Sequence, residues 1–367
     1  MKVTPWEVSG DIDYEKLIKQ FGVKHLDAKL LARLQKYTRS EHYMERRGIF
    51  FSHTNVDNTV HALDKGEPVY LYTGRAPSGP AHLGHLVPWI YAVHLQKTLG
   101  ATMLFQVPDE EKFLFKDGLT LAGLKKQAYE DILDIIAVGF DPKKTKIFLD
   151  TEYASVMYPI AVEVAKRTTA STARALFGLK PEDNVGKYFY SCMQSVPAFL
   201  PSVFEGKPTQ CLIPCAIDQD VHFRLTRDIA PKLGYPKPAT ILCRFLPSLQ
   251  GGGKQSSSGD SVIFTTDDEK TVRKKINKYA FSGGKDTVDE HRKHGGNPDV
   301  DSAYQLLYFF HSDDAYLAKI AADYRKGTLL SGELKKLAAD CVWDLLKAHQ
   351  ARREAARKTI EQFMVRS

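Results

Sequence analysis

A chain of 367 residues that is 43% hydrophobic and 26% charged has apolar content enough for one large domain and a smaller one. No run of about 18 apolar residues occurs and the opening MKVTPWEVSGDIDYEKL lacks the basic-then-apolar pattern of a secretory signal, so no membrane span and a cytoplasmic location are expected. The net charge of +7 suits an anionic partner without specifying one, and five cysteines with no C-x-x-C pair point to reduced, mostly buried thiols rather than zinc.

Residues 11–40 carry helical periodicity through Leu17, Ile18, Phe21, Leu26, Leu30, Leu31 and Leu34, with Asp11 or Asp13 as a helix cap. Segment 46–63 joins an apolar run to a polar turn and reads as a small hairpin or flap. From about 69 to 265, strand-like and helix-like segments alternate. Strands are expected at 69–72, 102–107, 146–149, 210–214 and 240–244, with helices at 85–98, 119–137 and 219–230 and a helical region at 152–200. Such alternation predicts a parallel sheet covered by helices, interrupted by an insertion at about 115–210. Beyond 267 the strand signal ends, and helices are expected at 268–280, 302–310, 313–325 and 333–364. The last is long enough to kink or to span two domains. The chain thus divides into an N-terminal helical extension (1–45), an α/β unit (46–266) and a helical C-terminal unit (267–367).

Three segments carry candidate chemistry. Residues 72–85, YTGRAPSGPAHLGH, lead from a strand through a glycine- and proline-punctuated loop to a helix start, a geometry that offers backbone N–H groups to phosphates. His82 and His85 add side-chain donors on either side of Gly84. LIPCAIDQD (212–220) is an apolar strand ending in carboxylate, amide and carboxylate. KQSSS (254–258) places a cation and hydroxyls on a glycine-hinged loop. Open α/β sheets bind ligands beyond the C-terminal strand ends, so the three can meet around ATP. There a carboxylate accepts ribose hydroxyls and a mobile lysine neutralises charge on leaving pyrophosphate.

These residues resemble a known family. His82-Leu83-Gly84-His85 is similar to the HIGH signature of class I aminoacyl-tRNA synthetases, and Lys254-Gln255-Ser256-Ser257-Ser258 is similar to their KMSKS loop, with glutamine in place of methionine. Within that class the chain resembles the tryptophanyl branch of eukaryotic and archaeal type. The likeness runs through VTPWEV, RRGIFFSH, TGRAPSG, QVPDEEKFLFKD, PCAIDQD, GYPKPA, NKYAFSGGKDT and the late GELKK and HQARR segments. It covers nearly the whole chain.

The resemblance implies a Rossmann-like parallel-sheet catalytic domain with a helical insertion and an all-α C-terminal anticodon-binding domain. It implies that Tyr72 and Gln106 line the indole end of a tryptophan pocket, that Glu111, Gln194 and Gln219 hold the ammonium group, and that Lys112 faces the carboxylate. ATP would be held by His82, Gly84, His85, Lys254, Ser256 and Ser258, with Gly74 and Arg75 near the phosphates and Ala216, Ile217 and Asp218 near adenine and ribose. The implied activity is tryptophan–tRNA ligation: ATP and L-tryptophan give tryptophanyl-adenylate, which is transferred to tRNA(Trp). Mg²⁺ arriving with ATP, no zinc, and a homodimer are also implied.

Residue chemistry is compatible with each part. A buried indole N–H needs an acceptor, supplied by the Tyr72 oxygen or the Gln106 carbonyl, and Glu111 and Lys112 can pair with the two charged ends of an amino acid. Plainer readings compete. Asp109, Glu110 and Glu111 could form a solvated acidic turn, Tyr72 could be only a core aromatic, and Cys211 and Cys215 read most simply as core thiols. The C-terminal cations Arg273, Lys274, Lys275, Lys278, Arg292 and Lys293 suit RNA phosphates, with Asp299 and Asp301 as polar candidates near Tyr304 and Phe310. Rival functions are a tyrosyl-tRNA synthetase, a catalytically idle RNA-binding relative, and a nucleotidyltransferase acting on a smaller substrate.

Overall fold

The computed structural model describes residues 2–3, 8–9, 12–251 and 259–366. Its centre is a sheet of seven strands. In chain order these are β1 (Lys24–His25), β2 (Phe50–Thr54), β3 (Val69–Gly74), β4 (Thr102–Val107), β5 (Thr145–Leu149), β6 (Gln210–Ala216) and β7 (Ala239–Cys243). Their spatial order is β1-β2-β7-β6-β3-β4-β5. The strands from β7 to β5 are parallel, whereas β1 and β2 join antiparallel at one edge. The parallel sheet expected from the alternation is therefore the core of a mixed one.

Period-two alternation sorts the strand side chains onto two faces. Leu71, Met103, Phe105, Leu212 and Ile241 enter one hydrophobic core. Tyr72, Leu104, Phe148, Ile213 and Leu242 enter the other. Both faces are covered, which is why these strands read as continuous apolar runs rather than alternating ones.

Segment 46–63 is not a hairpin or flap. It is β2 followed by a helix, Val56–Asp64. Phe50 and Phe51 feed opposite cores, so the run is buried between two neighbours, and the polar residues after it begin a helix through Asn55 at φ 58° instead of reversing the chain. Two short helices, Glu111–Phe115 and Val288–His294, fall below the length at which periodicity is visible. Near the N-terminus, Asp13 is the cap, accepting from the Lys16 N–H at 3.0 Å. Asp11, the other cap candidate, lies outside the described residues. All five thiols are free, four of them buried and Cys341 partly so.

The helices that position the site are α1 (Leu83–Leu99), α2 (Leu121–Ala137), α3 (Val185–Met193) and α4 (Ser331–Ala356). The long C-terminal pattern is one unbroken helix, α4, ending near a short 3₁₀ turn at Ile360–Gln362. It docks on α2 through a buried charge cluster: His349 Nε2 is 2.9 Å and Arg353 Nε 3.3 Å from the Asp134 carboxylate, and Arg353 also reaches Glu130 at 2.6 Å. The chain then returns to β5, where the Ile147 N–H donates to the Phe363 carbonyl and the Val365 N–H to that of Ile147. The otherwise open sheet edge is thereby covered.

Removing the Arg353 cation leaves the Asp134 carboxylate, 3% exposed, with a weaker set of partners. Arg353→Ala is expected to lower the unfolding free energy by about 3 kcal/mol in urea titration, whereas the exposed Arg357→Ala is expected to change it by less than about 1 kcal/mol.

Candidate active site

The crossovers from β3 run through α1 to β4 and through α2 to β5, while β6 and β7 lie on the other side of β3. Strand order thus reverses between β3 and β6, the place where open α/β sheets form a ligand crevice. A cavity of about 800 Å³ opens there, beyond the C-terminal ends of the strands. Tyr72, Gly74, Arg75, His82, Gly84, His85, Gln106, Glu111, Lys112, Gln194, Ala216, Asp218 and Gln219 all line it. Ile217 does not: it is fully buried in the core beside Tyr72 and Phe223. Lys254, Ser256, Ser258 and the rest of the KQSSS loop lie outside the described residues.

At one end, β3 and β4 run in register with Gly74 opposite Gln106. A Cβ on Gly74 would stand 3.1 Å from the backbone carbonyl oxygen of Gln106, a close approach to the neighbouring strand that glycine relieves, and at an ordinary 3.5 Å from the side-chain Oε1. Tyr72 Oη donates to Gln106 Oε1 at 2.6 Å, and Gln106 Nε2 donates to Asp150 Oδ2 at 2.7 Å. Gln194 Nε2 approaches Tyr72 Oη at 3.4 Å. Burial pushes the Tyr72 phenol well above its ordinary range, so it stays protonated.

Beside this chain, Glu111 Oε1 accepts from Lys112 Nζ at 2.6 Å. Tyr190 Oη lies 2.8 Å from Gln194 Oε1 and 3.1 Å from Glu111 Oε2, and its single proton serves one of them at a time. An amino-acid zwitterion can replace the internal Glu111–Lys112 pair with two pairs of its own, ammonium to Glu111 and carboxylate to Lys112.

At the other end, His82 caps α1. Its Nδ1 accepts from the Gly84 N–H at 3.1 Å, and His85 Nδ1 accepts from the His82 N–H at 3.2 Å. A neutral imidazole that accepts at Nδ1 carries its proton on Nε2, the donor form that suits a phosphate oxygen. Local capping thus sets the tautomer of both rings. His85 also stacks on Trp89 with centroids 5.8 Å apart.

Arg75, expected near the phosphates, lines the cavity and already has partners within the chain. It is 6% exposed, ion-paired with the buried Asp131 of α2, and donates to the Gly79 carbonyl at 2.5 Å. Its charge is committed to bracing the loop between β3 and α1. Asp220, the second carboxylate of the DQD run, makes a bidentate pair with Arg227 at 2.9 and 2.8 Å and accepts from Thr240, so it fastens helix Asp220–Ile229 to β7. Asp301 is 1% exposed, caps helix Ser302–Phe310 and accepts from Gly283 and Tyr324, which removes it from the polar candidates for RNA. Asp299 is paired with Arg325 at 3.0 Å.

The acidic run after β4 is not a solvated turn. Asp109 is 1% and Glu111 7% exposed. Asp109 accepts from the backbone and hydroxyl of Thr151. Burial first, then the charge of Asp109, raises the Glu110 carboxyl to about 7. Sequence reasoning also missed Tyr190, His222 and Arg244, all lining the cavity. Tyr190 stands four residues before Gln194, one turn along α3, and that spacing was a usable signal. Arg244 had none: its guanidinium lies 4.9 Å from the Tyr14 ring and 5.6 Å from Phe51, contacts made only by the folded chain.

Residues 64–347 match the family model described as tRNA synthetases class I (W and Y). The chain is 48% identical to the tryptophan–tRNA ligase of Sulfolobus acidocaldarius over 98% of this chain and 94% of that one. It is 46% identical to the cytoplasmic tryptophan–tRNA ligase of Saccharomyces cerevisiae over 99% of this chain and 88% of that one. Its fold superposes on the crystal structure of Plasmodium falciparum tryptophanyl-tRNA synthetase with a TM-score of 0.91 at 40% identity, covering 96% and 97% of the two chains.

The raised Glu110 carboxyl gives a pH signature. Between pH 4.5 and about 7 the folded chain holds a proton that the unfolded chain has released, so this group's stabilising contribution is present at low pH and is lost as pH rises through 7. Glu110→Gln removes one of two interacting carboxyls and with it the step near pH 7, leaving Asp150 protonated. Between pH 5 and 8 the variant's unfolding free energy, relative to the parent's, is expected to improve by about 3 kcal/mol in paired urea titrations.

Proposed function

We propose, from the premise that this chain belongs to the class I tRNA synthetase family of the W and Y enzymes, that its switch-point cavity is where tryptophan and ATP react. The enzyme is a ligase that activates L-tryptophan with ATP and transfers it to tRNA(Trp). The named relatives favour tryptophan over the tyrosyl alternative.

The observation that carries the residue assignments is the buried acceptor pair Tyr72–Gln106 beside the Glu111–Lys112 ion pair, with His82 and His85 in the same cavity. The indole N–H donates to Tyr72 Oη or Gln106 Oε1. Glu111, with Gln194 and Gln219, holds the ammonium, and Lys112 draws the carboxylate. The His82 and His85 Nε2–H groups and the helix start at Gly84 face the phosphates, and Ala216 and Asp218 flank the nucleoside. A carboxylate oxygen of tryptophan then attacks the α-phosphorus of ATP. The bond to the β-bridging oxygen breaks, and pyrophosphate leaves with that electron pair. The protein supplies alignment and charge stabilisation rather than a nucleophile, with Lys254, Ser256 and Ser258 acting on the leaving phosphates. In the second step the terminal tRNA hydroxyl attacks the acyl carbon and AMP leaves. Among the described residues no group of three or more His, Cys, Asp or Glu side chains converges to hold a metal. The synthetase family implies Mg²⁺ brought in with ATP, ligated by its phosphates and water.

The helical unit 267–367 takes the tRNA-binding role in this reading, supported by exposed Lys274, Lys278 and Lys293. A homodimer through the insertion is supported by exposed Tyr158 (57%), Val162 (42%) and Phe189 (36%). The Tyr158 and Phe189 rings lie 6.0 Å apart. No helix among the described residues is long and apolar enough to cross a membrane, and a cytoplasmic location follows the name of the yeast relative.

Tryptophan, and not tyrosine, is expected to support exchange of labelled pyrophosphate into ATP. Lys254→Ala is expected to cut the exchange rate at saturating substrate while leaving the tryptophan dissociation constant unchanged, and an equal loss of affinity would contradict a transition-state role. Glu111→Ala is expected to weaken tryptophan binding by about 10- to 100-fold.

A further inference from the structure

We propose that Asp150, one residue beyond β5 and outside the cavity, determines which end of the Gln106 amide faces the bound side chain, and so makes the pocket select a ring that bears an N–H. The inference rests on the tryptophan-pocket reading and deepens it.

A glutamine amide has two ends of nearly equal shape and opposite hydrogen-bonding sense, so packing alone holds its orientation weakly. Tyr72 cannot decide between them, because a phenol hydroxyl donates to an oxygen or accepts from an N–H equally well. Asp150 can. It is 1% exposed, and its Oδ2 stands 2.7 Å from Gln106 Nε2. With the N–H end held there, Oε1 is the end that meets Tyr72 Oη at 2.6 Å. A carbonyl oxygen cannot donate, so the phenol proton is directed onto it, and the Tyr72 oxygen, which accepts from Gln194 Nε2 at 3.4 Å, keeps one further lone pair. Gln106 and Tyr72 then both offer acceptors to the cavity, which match an indole N–H and repel a ring atom that carries lone pairs.

The far side of Asp150 keeps this sense fixed. Its Oδ1 and the Glu110 Oε2 are both buried without another donor among the described residues. The two carboxyls hydrogen-bond each other, which requires a shared proton. A proton shared by the two orphaned oxygens Asp150 Oδ1 and Glu110 Oε2 would lie on the side away from Gln106, and Oδ2, which faces Gln106 Nε2, is then the acceptor. Alternation explains the placement. Phe148 is opposite Gln106 in the β4–β5 register, and Asp150, two residues on, returns to the same face.

Asp150 is thus a positioning residue, and the readout must separate orientation from general loosening of the pocket. Pyrophosphate exchange on the full-length enzyme gives kcat/KM for tryptophan and for β-(benzothiophen-3-yl)alanine, in which sulfur replaces the indole N–H. The ratio of the two does not depend on the fraction of enzyme that folds. Asp150→Ala is expected to reduce the parent's preference for tryptophan about tenfold, with the KM for ATP unchanged. Asp150→Asn can still present a carbonyl oxygen to Gln106 Nε2, and is expected to stay within about threefold of the parent. Equal losses on both substrates in Asp150→Ala, with the ratio preserved, overturn the inference. Gln106→Met combined with Tyr72→Phe separates the two levels: with both acceptors gone, the ratio should collapse whatever Asp150 does. If the ratio survives in that double variant, the reading of this end as the indole site fails, and the inference falls with it.

Discussion

Strand order reverses at β3, and the binding chemistry of the chain collects where its two neighbours part. A parallel sheet built outward from one strand leaves the C-terminal ends of that strand and of β6 without a helix crossing between them. Three side chains meet there because of period-two geometry: Tyr72 on β3, Gln106 on β4 and Asp150 after β5 lie on the same face of successive strands. Hydrogen bonds of 2.6 and 2.7 Å then link them into one polarised row. A row so buried is costly when incomplete, and each member here restricts the orientation of the next.

The two ends of the cavity are braced from opposite parts of the chain. Helix α2 carries Asp131, which pairs with Arg75 in the loop after β3, and Asp134, which pairs with His349 and Arg353 on α4. On the same α4, Gln350 donates to the Thr265 and Asp267 carbonyls, and Thr265 donates in turn to Ala81 just before the histidine pair. The C-terminal helix therefore grips both the segment at 265–267 and α2, which braces the loop before the histidine pair. In the proposed reading, these bonds connect the helical unit to the cavity where the adenylate would form.

Much of this was legible in the sequence, for reasons specific to each part. The parallel strands β3 to β7 were readable because burial on both faces turns them into short apolar runs bounded by turn residues. HLGH stood out because two histidines flank the glycine of a helix start. Other features depend on partners far along the chain. β2 reads locally as half of a hairpin, and its true neighbour β7 lies nearly two hundred residues later. The run Asp109-Glu110-Glu111 has the composition of a solvated turn, and only Thr151, Asp150 and Tyr190 make it a buried acidic cluster. The partners of Arg75 and Asp220, which are Asp131 and Arg227, could not be read locally either. Composition reports that a charge exists, whereas what it faces is a property of the fold.

The most direct test is a crystal structure of the complex with a non-hydrolysable tryptophanyl-adenylate analogue. The indole nitrogen is expected within about 3 Å of Tyr72 Oη or Gln106 Oε1, with Gln106 Nε2 still on Asp150 and the α-phosphate toward His82 and His85. An indole ring seated elsewhere in the cavity, or a Gln106 amide turned with its nitrogen toward the ring, would contradict the polarised row as the reader of the substrate.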